Sequence, residues 1–492
     1  MEENTLPLYS TAQVRELDRV TIEEFGIPGY TLMTRAGAGV LRVVRERWPE
    51  ARCIAVVCGV GNNGGDGLVM ARLAKAAGLV PLVLQLGEPR QLRGDAATAA
   101  KELTAAGIAV EKFDAHRLQG ADVVVDAVLG TGVNRPLEGQ WLEAIQAINQ
   151  YPAPVLAIDI PSGLNGDTGM PMGASVRAAC TVSFIGRKQG LATGQGPEFC
   201  GIQEFDNLGV PAEVVAKVQA TAVLITPTIL KSVQIPRPRH THKGMCGHVL
   251  VVGGDHGAGG AARLAAEAAA RVGAGLVSVA TRAAHAAVIA ATCPELMCHG
   301  VESGRDLQPL LSRATVVAVG PGLGQSTWAS QLLCQVLDHR KPLVVDADAL
   351  NLLAQDRSDQ EEWVLTPHPG EAGRLLGSDA QSIQQDRFAA VSQVAQRYGG
   401  VCVLKGAGTL IAAPGDPVAV SPTGNPGMAG GGMGDVLTGV IAGLMAQGLS
   451  LRDAAKTGAY VHGAAADLAA TKGERGLLAG DVLACLRTVI NP

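Results

Sequence analysis

At 492 residues, 47% hydrophobic and 17% charged, the chain can bury two or three cores, which excludes disorder or low complexity as its main theme. Its net charge of -5 supplies no basic surface for a nucleic-acid backbone, so neither DNA nor RNA is expected as a partner. The ten cysteines are scattered, with no C-x-x-C pair and no zinc spacing, and read as reduced thiols of a cytoplasmic protein.

The acidic opening "MEENTLPLYSTAQVRELDRV" lacks the apolar centre of a leader, so neither a secretory signal nor a transit peptide is expected. Ser10 and Gln13 stand at capping-box spacing ahead of Val14, Leu17 and Val20, which predicts a first helix. A second helix is predicted over "LMTRAGAGVLRVVRERW". The runs "CIAVVCG", "VVVDAVLG" and "VLAIDIPSG" are continuously apolar, as parallel strands covered on both faces must be. They predict a Rossmann-like α/β/α sandwich. The pattern weakens after Asn207, and the proline-rich, basic "VQIPRPRHTHKG" suggests a boundary near residue 225, giving domains 1–224 and 225–492. Alternation resumes with "GHVLVVGG", "GLVSVAT", "TVVAVG", "PLVVDAD", "WVLTPH" and "VCVLKG", a second α/β domain. The apolar run "VLTGVIAGLMA" is about half a membrane span, and no membrane partner is expected.

In the first half, "GVGNNGGDG" follows a strand and precedes the predicted helix "LVMARLAKAAG". Its glycines permit a tight turn whose N–H groups face a ligand, Asn62 and Asn63 add side-chain oxygens, and Asp66 is suited to cap the helix. Asp126 and Asp159 end two further strands. Ligands of open α/β sheets sit outside the carboxyl ends of the strands, so these three loops are expected to form one pocket. The plainer alternative makes each aspartate a turn or cap residue.

The segments "GNNGGDG", "DAVLGTGVNRPL" and "DIPSGLNGDTG", preceded by "RELD" and "GIPGYTLMTRAG", closely resemble the epimerase domain of the NAD(P)H-hydrate repair enzymes, which interconvert the R and S forms of a nicotinamide hydrated at C6. The resemblance implies that Asn62, Asn63, Gly64, Gly65, Asp66, Gly130, Thr131, Gly132, Val133, Asn134, Arg135, Pro136 and Asp159 contact the hydrate. It also implies potassium on Asn63, Asp126 and Ser162, a set of hard oxygen donors. Proton transfer falls to Asp126 or Asp159, and the sequence leaves that choice open.

In the second half, Gly257, Gly259 and Ala262 fit G-x-G-x-x-A, but the next strand ends at Arg282 where a dinucleotide site would carry an acid. Four other loops point to phosphoryl transfer: "GPGLG" with Gly322, "TPHPGEAGRLLG" with His368 and Glu371, "KGAGT" with Lys405, and "NPGMAGGGMGDVLTG" with Asp435. A transferring phosphoryl group needs directed N–H groups, a cation and a base for the attacking hydroxyl. The glycines before an amphipathic helix, Lys405 and Asp435 answer those needs in turn. The plainer reading makes Asp435 an N-cap.

The G-x-G-D form, Gly432 to Asp435, resembles the ribokinase-like superfamily, and "HKG", "GAGLVSV", "PELM", "GPGLG", "DADALN", "TPHPGE", "KGAGT" and "NPGMAGGGMGDVLTG" together resemble its NAD(P)H-hydrate dehydratases. That resemblance implies nucleotide contacts at Lys405, Gly406, Ala407, Gly408, Thr409, Asn425, Pro426, Gly427, Met428, Ala429, Gly430, Gly431, Gly432, Met433 and Gly434. It implies hydrate contacts at Gly322, His368, Pro369, Gly370, Glu371, Ala372 and Asp435. The expected substrates are NADHX and NADPHX with ADP or ATP and magnesium, and Asp435 is the expected base. Oligomeric state is left open, a homo-oligomer included. The rival reading is a kinase of a small vitamin-precursor alcohol carrying a non-catalytic N-terminal binding module.

Overall fold

A computed structural model describes residues 4–491. Its described residues divide into two α/β units: Pro7–Ala222, and residues 223–491 together with residues 4–6. The short strand β1 (Thr5–Leu8) stands beside β9 (Ala222–Ile225) at one edge of the second sheet. No local pattern announces so distant a pairing.

The first unit holds seven parallel strands: β2 (Cys53–Cys58), β3 (Val80–Gln85), β4 (Val110–Lys112), β5 (Val123–Ala127), β6 (Val155–Ile158), β7 (Cys180–Phe184) and β8 (Ile202–Asp206). They lie in the order β4-β3-β2-β5-β6-β7-β8, so the strand order reverses between β2 and β5 and opens a crevice there. Asp126 pairs across with Val57 and Ala157, deep in the sheet. The two faces bury separate apolar clusters. The predicted first helix forms over Thr11–Arg19 with the Ser10–Gln13 capping box intact, and the second over Gly29–Arg47.

The stretch "NNGGDG" is not a loop. The helix begins at Asn62 and runs to Ala76, with Gly61 as N-cap, so Asp66 lies inside it and caps nothing. Its glycines serve packing: a Cβ on Gly64 would collide with the Gly59 carbonyl, and one on Gly65 with Met33.

In the second unit β10 (His248–Val252), β11 (Leu276–Thr281), β12 (Met297–Gly300), β13 (Val316–Val319), β14 (Leu343–Val345), β15 (Trp363–Leu365) and β16 (Val401–Leu404) are parallel. An antiparallel extension, β17 (Thr409–Ala412) and β18 (Val418–Ser421), continues the sheet. The sheet order is β1-β9-β18-β17-β16-β15-β14-β13-β10-β11-β12. The expected amphipathic helix begins earlier, at Met433, and runs to Ala446; it is buried nearly all round, because it lies in the core against the Gly259–Arg271 and Leu451–Ala469 helices. Gly439 lets it approach so closely that a Cβ there would strike the Ala265 carbonyl. The ten cysteines are unpaired, and among the described residues no helix is long and apolar enough to cross a membrane.

Candidate active sites

The loops after β2 and β5 splay apart at the reversal of strand order, and between them lies a cavity of about 1060 Å³. Asn62, Asn63 and Asp66 line it from the Asn62–Ala76 helix, Gly130 to Pro136 from the loop after β5, and Asp159 from the end of β6. Gly64 and Gly65 face the packing interior instead. Asp159 sits at φ +67, a conformation that costs a non-glycine residue about 1–3 kcal/mol and is retained chiefly at functional sites. Its carboxylate accepts from the Phe184 N–H at 3.1 Å and pairs with the ammonium of Lys188, a lysine only 1% exposed. Asp18 and Asp66 line the same cavity, and neither accepts a hydrogen bond from a described residue. Burial pushes Asp18 up to about 6 against the pull of Lys188, and raises Asp66 well above the carboxylate range with Asp159 and Asp18 adding to it.

Asp126 does not line this cavity. It is fully buried behind the loop, accepting from Ser162 N–H (2.8 Å), Ser162 Oγ (2.6 Å) and Val128 N–H (3.2 Å). Ser162 Oγ in turn accepts from the Leu129 N–H at 2.7 Å. Burial pushes Asp126 up to about 6, and those hydrogen bonds oppose it. Asn63, 9% exposed, has neither its amide oxygen nor its amide nitrogen partnered. A buried amide left unpaired costs about 1–3 kcal/mol, and both Asn63 side-chain atoms are free to meet a ligand.

In the second unit the carboxyl ends of β14 and β16 bring Asp346 and Lys405 together, with Nζ 2.7 Å from Asp346 Oδ1. Asp346 is 1% exposed and its second oxygen accepts from Thr438 Oγ1 at 2.8 Å, which ties the strand end to the Met433–Ala446 helix. Ala347, immediately after it, is held at φ +49. Glu371 Oε2 lies 3.7 Å from Lys405 Nζ. Burial works to lower Lys405, but Asp346 and Glu371 outweigh it and raise its pKa. His368 caps the Pro369–Leu376 helix through Nδ1, and Glu371 answers by accepting from the His368 N–H at 2.8 Å.

Asp435 stands in the first turn of the Met433–Ala446 helix and is not its cap: Gly432 occupies that position at φ +88 and offers no side chain. The Asp435 carboxylate accepts no hydrogen bond from any described residue. Burial, then Asp346, pushes it up to about 6, with Lys405 opposing. The helix N-terminus leaves backbone N–H groups facing outward beside Lys405, the composition of an anion site. Gly430 and Gly431 are exposed, whereas Met433 and Ala372 are buried, so those two offer a ligand no more than backbone. Asn425 is fixed by Asp467, which accepts from its Nδ2 at 2.9 Å. Gly322, at φ +59, packs beside Ala258.

Arg282 closes the dinucleotide alternative. Its Nε is bound to Asp255 at 2.7 Å and its Nη1 to Glu302 at 2.8 Å, and it stacks over Trp328, so its charge is committed to two carboxylates rather than offered to a phosphate. The residues to which sequence reasoning assigned no role are Asp18, Lys188, Asp346 and Thr438, although Asp18 ends the "RELD" segment. For Asp346 a signal existed, an aspartate at the end of "PLVVDAD"; Lys188 in "GRKQG" reads as surface.

Residues 249–487 match the family model described as NAD(P)H-hydrate dehydratase, and residues 29–190 the one described as YjeF-related protein N-terminus. Over 486 residues the chain is 50% identical to the bifunctional NAD(P)H-hydrate repair enzyme Nnr of Coxiella burnetii, covering 99% of each chain. It is 44% identical to the enzyme of the same name from Escherichia coli, covering 97% of this chain and 93% of that one. Among solved structures, the hypothetic protein SMU.573 of Streptococcus mutans is 30% identical and superposes with a TM-score of 0.51, covering 54% of this chain and 98% of its own.

Proposed function

The chain belongs to the bifunctional NAD(P)H-hydrate repair enzymes, and from that premise we propose how its two sites divide the work. The first unit, Rossmann-like, epimerises the R and S hydrates in the cavity between the β2 and β5 loops. The second, ribokinase-like, dehydrates the S hydrate to NADH or NADPH at the expense of ADP or ATP.

In the first site Asp159 is the proton-transfer group in preference to Asp126. The support is that Asp159 lines the cavity while every Asp126 oxygen is engaged behind it. Asn62, Asn63, Asp66 and the 130–136 loop hold the hydrate. Asn63, Asp126 and Ser162 would hold potassium: the orphaned Asn63 oxygen and a buried carboxylate with no cationic side chain beside it fit a hard monovalent cation. Potassium would supply fixed positive charge to order the loop after β5.

In the second site Asp435 takes the proton of the C6 hydroxyl as that oxygen attacks the terminal phosphate. The N–H groups of Gly432 to Gly434 and the Lys405 ammonium hold the charge that develops. Phosphate then leaves with the C6 oxygen, a C5 proton is lost and the reduced ring is restored. Hydroxide leaves poorly and phosphate well, which is why nucleotide is consumed. Lys405 to Thr409 and Asn425 to Gly434 bind the nucleotide, with magnesium arriving on its phosphates. Gly322, His368 to Glu371 and the backbone at Ala372 face the hydrate.

The observation that carries this reading is the unpartnered Asp435 carboxylate, in the first turn of a glycine-led helix beside the Lys405–Asp346 pair. The test incubates the purified protein with mixed R and S NADHX and ADP or ATP, following both epimers by chromatography. Both should disappear as NADH absorbance and phosphate rise. Persistence of both with either nucleotide would sink the repair reading, and a stable phosphorylated product would restore the small-alcohol kinase.

A further inference from the structure

We propose that Asp18 is a catalytic residue of the first site, working with Asp159 as an acid–base pair on the hydrate. This rests on the epimerase reading above and extends it. Val14, Arg15, Asp18 and Ile22 form the wall that the first helix and its continuation present to the cavity. Asp18 does nothing to hold that wall together. It caps no helix, and among the described residues it joins no ion pair and accepts no hydrogen bond. A half-buried carboxylate left without partners is costly, and folds keep such groups chiefly where chemistry needs them.

The charge balance of the cavity points the same way. Asp18, Asp66 and Asp159 gather about a single ammonium, that of Lys188, and Lys188 is committed to Asp159. Neighbouring like charges cannot all ionise at low dielectric, so Asp18 and Asp66, which have no ammonium paired to them, retain protons more readily than free carboxyls, while Asp159 is the carboxylate that Lys188 pairs with. The cavity therefore offers a base, Asp159, and an acid within one site. The remaining charged groups that line it, Arg15 and Arg135 with Asp95 and Glu138, are exposed or half-buried.

Epimerisation at C6 requires both. Asp159 takes the proton of the C6 hydroxyl; the C–O bond becomes a carbonyl as the C6–N1 bond breaks, and N1 takes its electron pair and a proton from Asp18. Rotation about C5–C6 presents the other face of the aldehyde. Return of the N1 proton to Asp18, bond formation from N1 to C6 and protonation of the oxygen by Asp159 close the ring with inverted configuration. Nothing is oxidised or reduced, and each carboxyl ends as it began.

The test uses the full chain without nucleotide, starting from NADHX enriched in the R epimer and following the appearance of S. Asp18→Asn should lower kcat for exchange about 100- to 10,000-fold with KM little changed. With ADP or ATP added, the same variant should still dehydrate the S epimer at the wild-type rate. Asp18→Ala should regain exchange when formate is supplied, which a structural role would not permit. The proposal is overturned if D18N keeps kcat within about threefold of wild type, if only KM rises, or if Asp66→Asn alone carries the loss. A wild-type protein that exchanges no epimers is a different result: it removes the epimerase reading, and this proposal with it.

Discussion

The two sites are built on one plan and surrounded differently. Each sets an aspartate and a lysine together at the carboxyl ends of parallel strands, Asp159 with Lys188 and Asp346 with Lys405, and each holds a non-glycine residue at positive φ beside the pair. Around the first pair the walls close into a carboxylate-lined cavity; beside the second lies the open N-terminus of a buried helix. The glycines show what this difference means. Gly64, Gly65 and Gly67 of "GNNGGDG" are buried, and a Cβ there would collide with the Gly59 carbonyl, Met33 and Ala127 in turn, whereas Gly430 and Gly431 are exposed, and a Cβ on Gly431 would meet nothing within 4 Å. Clustered glycine thus marks close packing in one site and ligand space in the other.

The contrast can be broken most forcefully at the bases. Asp435→Asn should slow dehydration about 100- to 10,000-fold while epimer exchange continues at the wild-type rate, measured in one assay of both epimers. Asp435 acts when ionised, so with its pKa pushed up to about 6 the wild-type dehydration rate should fall about tenfold per unit as pH drops below that value. A dehydration rate flat down to about pH 5 would contradict Asp435 as the base.

The glycine contrast predicts opposite outcomes for one substitution. Gly64→Ala should destabilise the first unit by about 1–3 kcal/mol, seen as an earlier unfolding transition by calorimetry. Gly431→Ala should leave unfolding unchanged within about 0.5 kcal/mol and instead raise the nucleotide KM. Equal losses of stability would erase the distinction.

A smaller effect concerns Asp126. Its folded pKa, about 6, lies above the unfolded value, so its contribution to stability is full at low pH and declines as pH rises from the unfolded pKa through the folded one. Potassium beside the ionised carboxylate would offset that decline. Replacing sodium by potassium should therefore raise the first unit's melting temperature more at neutral than at acid pH, by about 2–4 °C per kcal/mol of binding. An equal shift for Asp126→Asn would remove Asp126 from the cation's ligands.

Much of this architecture was legible in the chain. Continuous apolar runs located β2, β5, β6, β10, β11, β13, β14, β15 and β16, because a strand covered on both faces has no room for polar alternation. The antiparallel β17 and β18, the edge strands β1 and β12 and the start of the Asn62–Ala76 helix were not legible. They are short, or glycine-rich, or held by partners far away in sequence. Among site residues, those at strand ends and glycine loops were visible. Lys188 was not, and Asp18 stands in the "RELD" segment without a role that the sequence assigns, since both residue types ordinarily face water and only the folded walls reveal their burial.

The claim of two separable sites is met most directly by Asp159→Asn assayed on a mixture of R and S NADHX with nucleotide. The account predicts that the S epimer is consumed at the wild-type rate and the R epimer is left behind. Consumption of both epimers at the wild-type rate, or of neither, would contradict it.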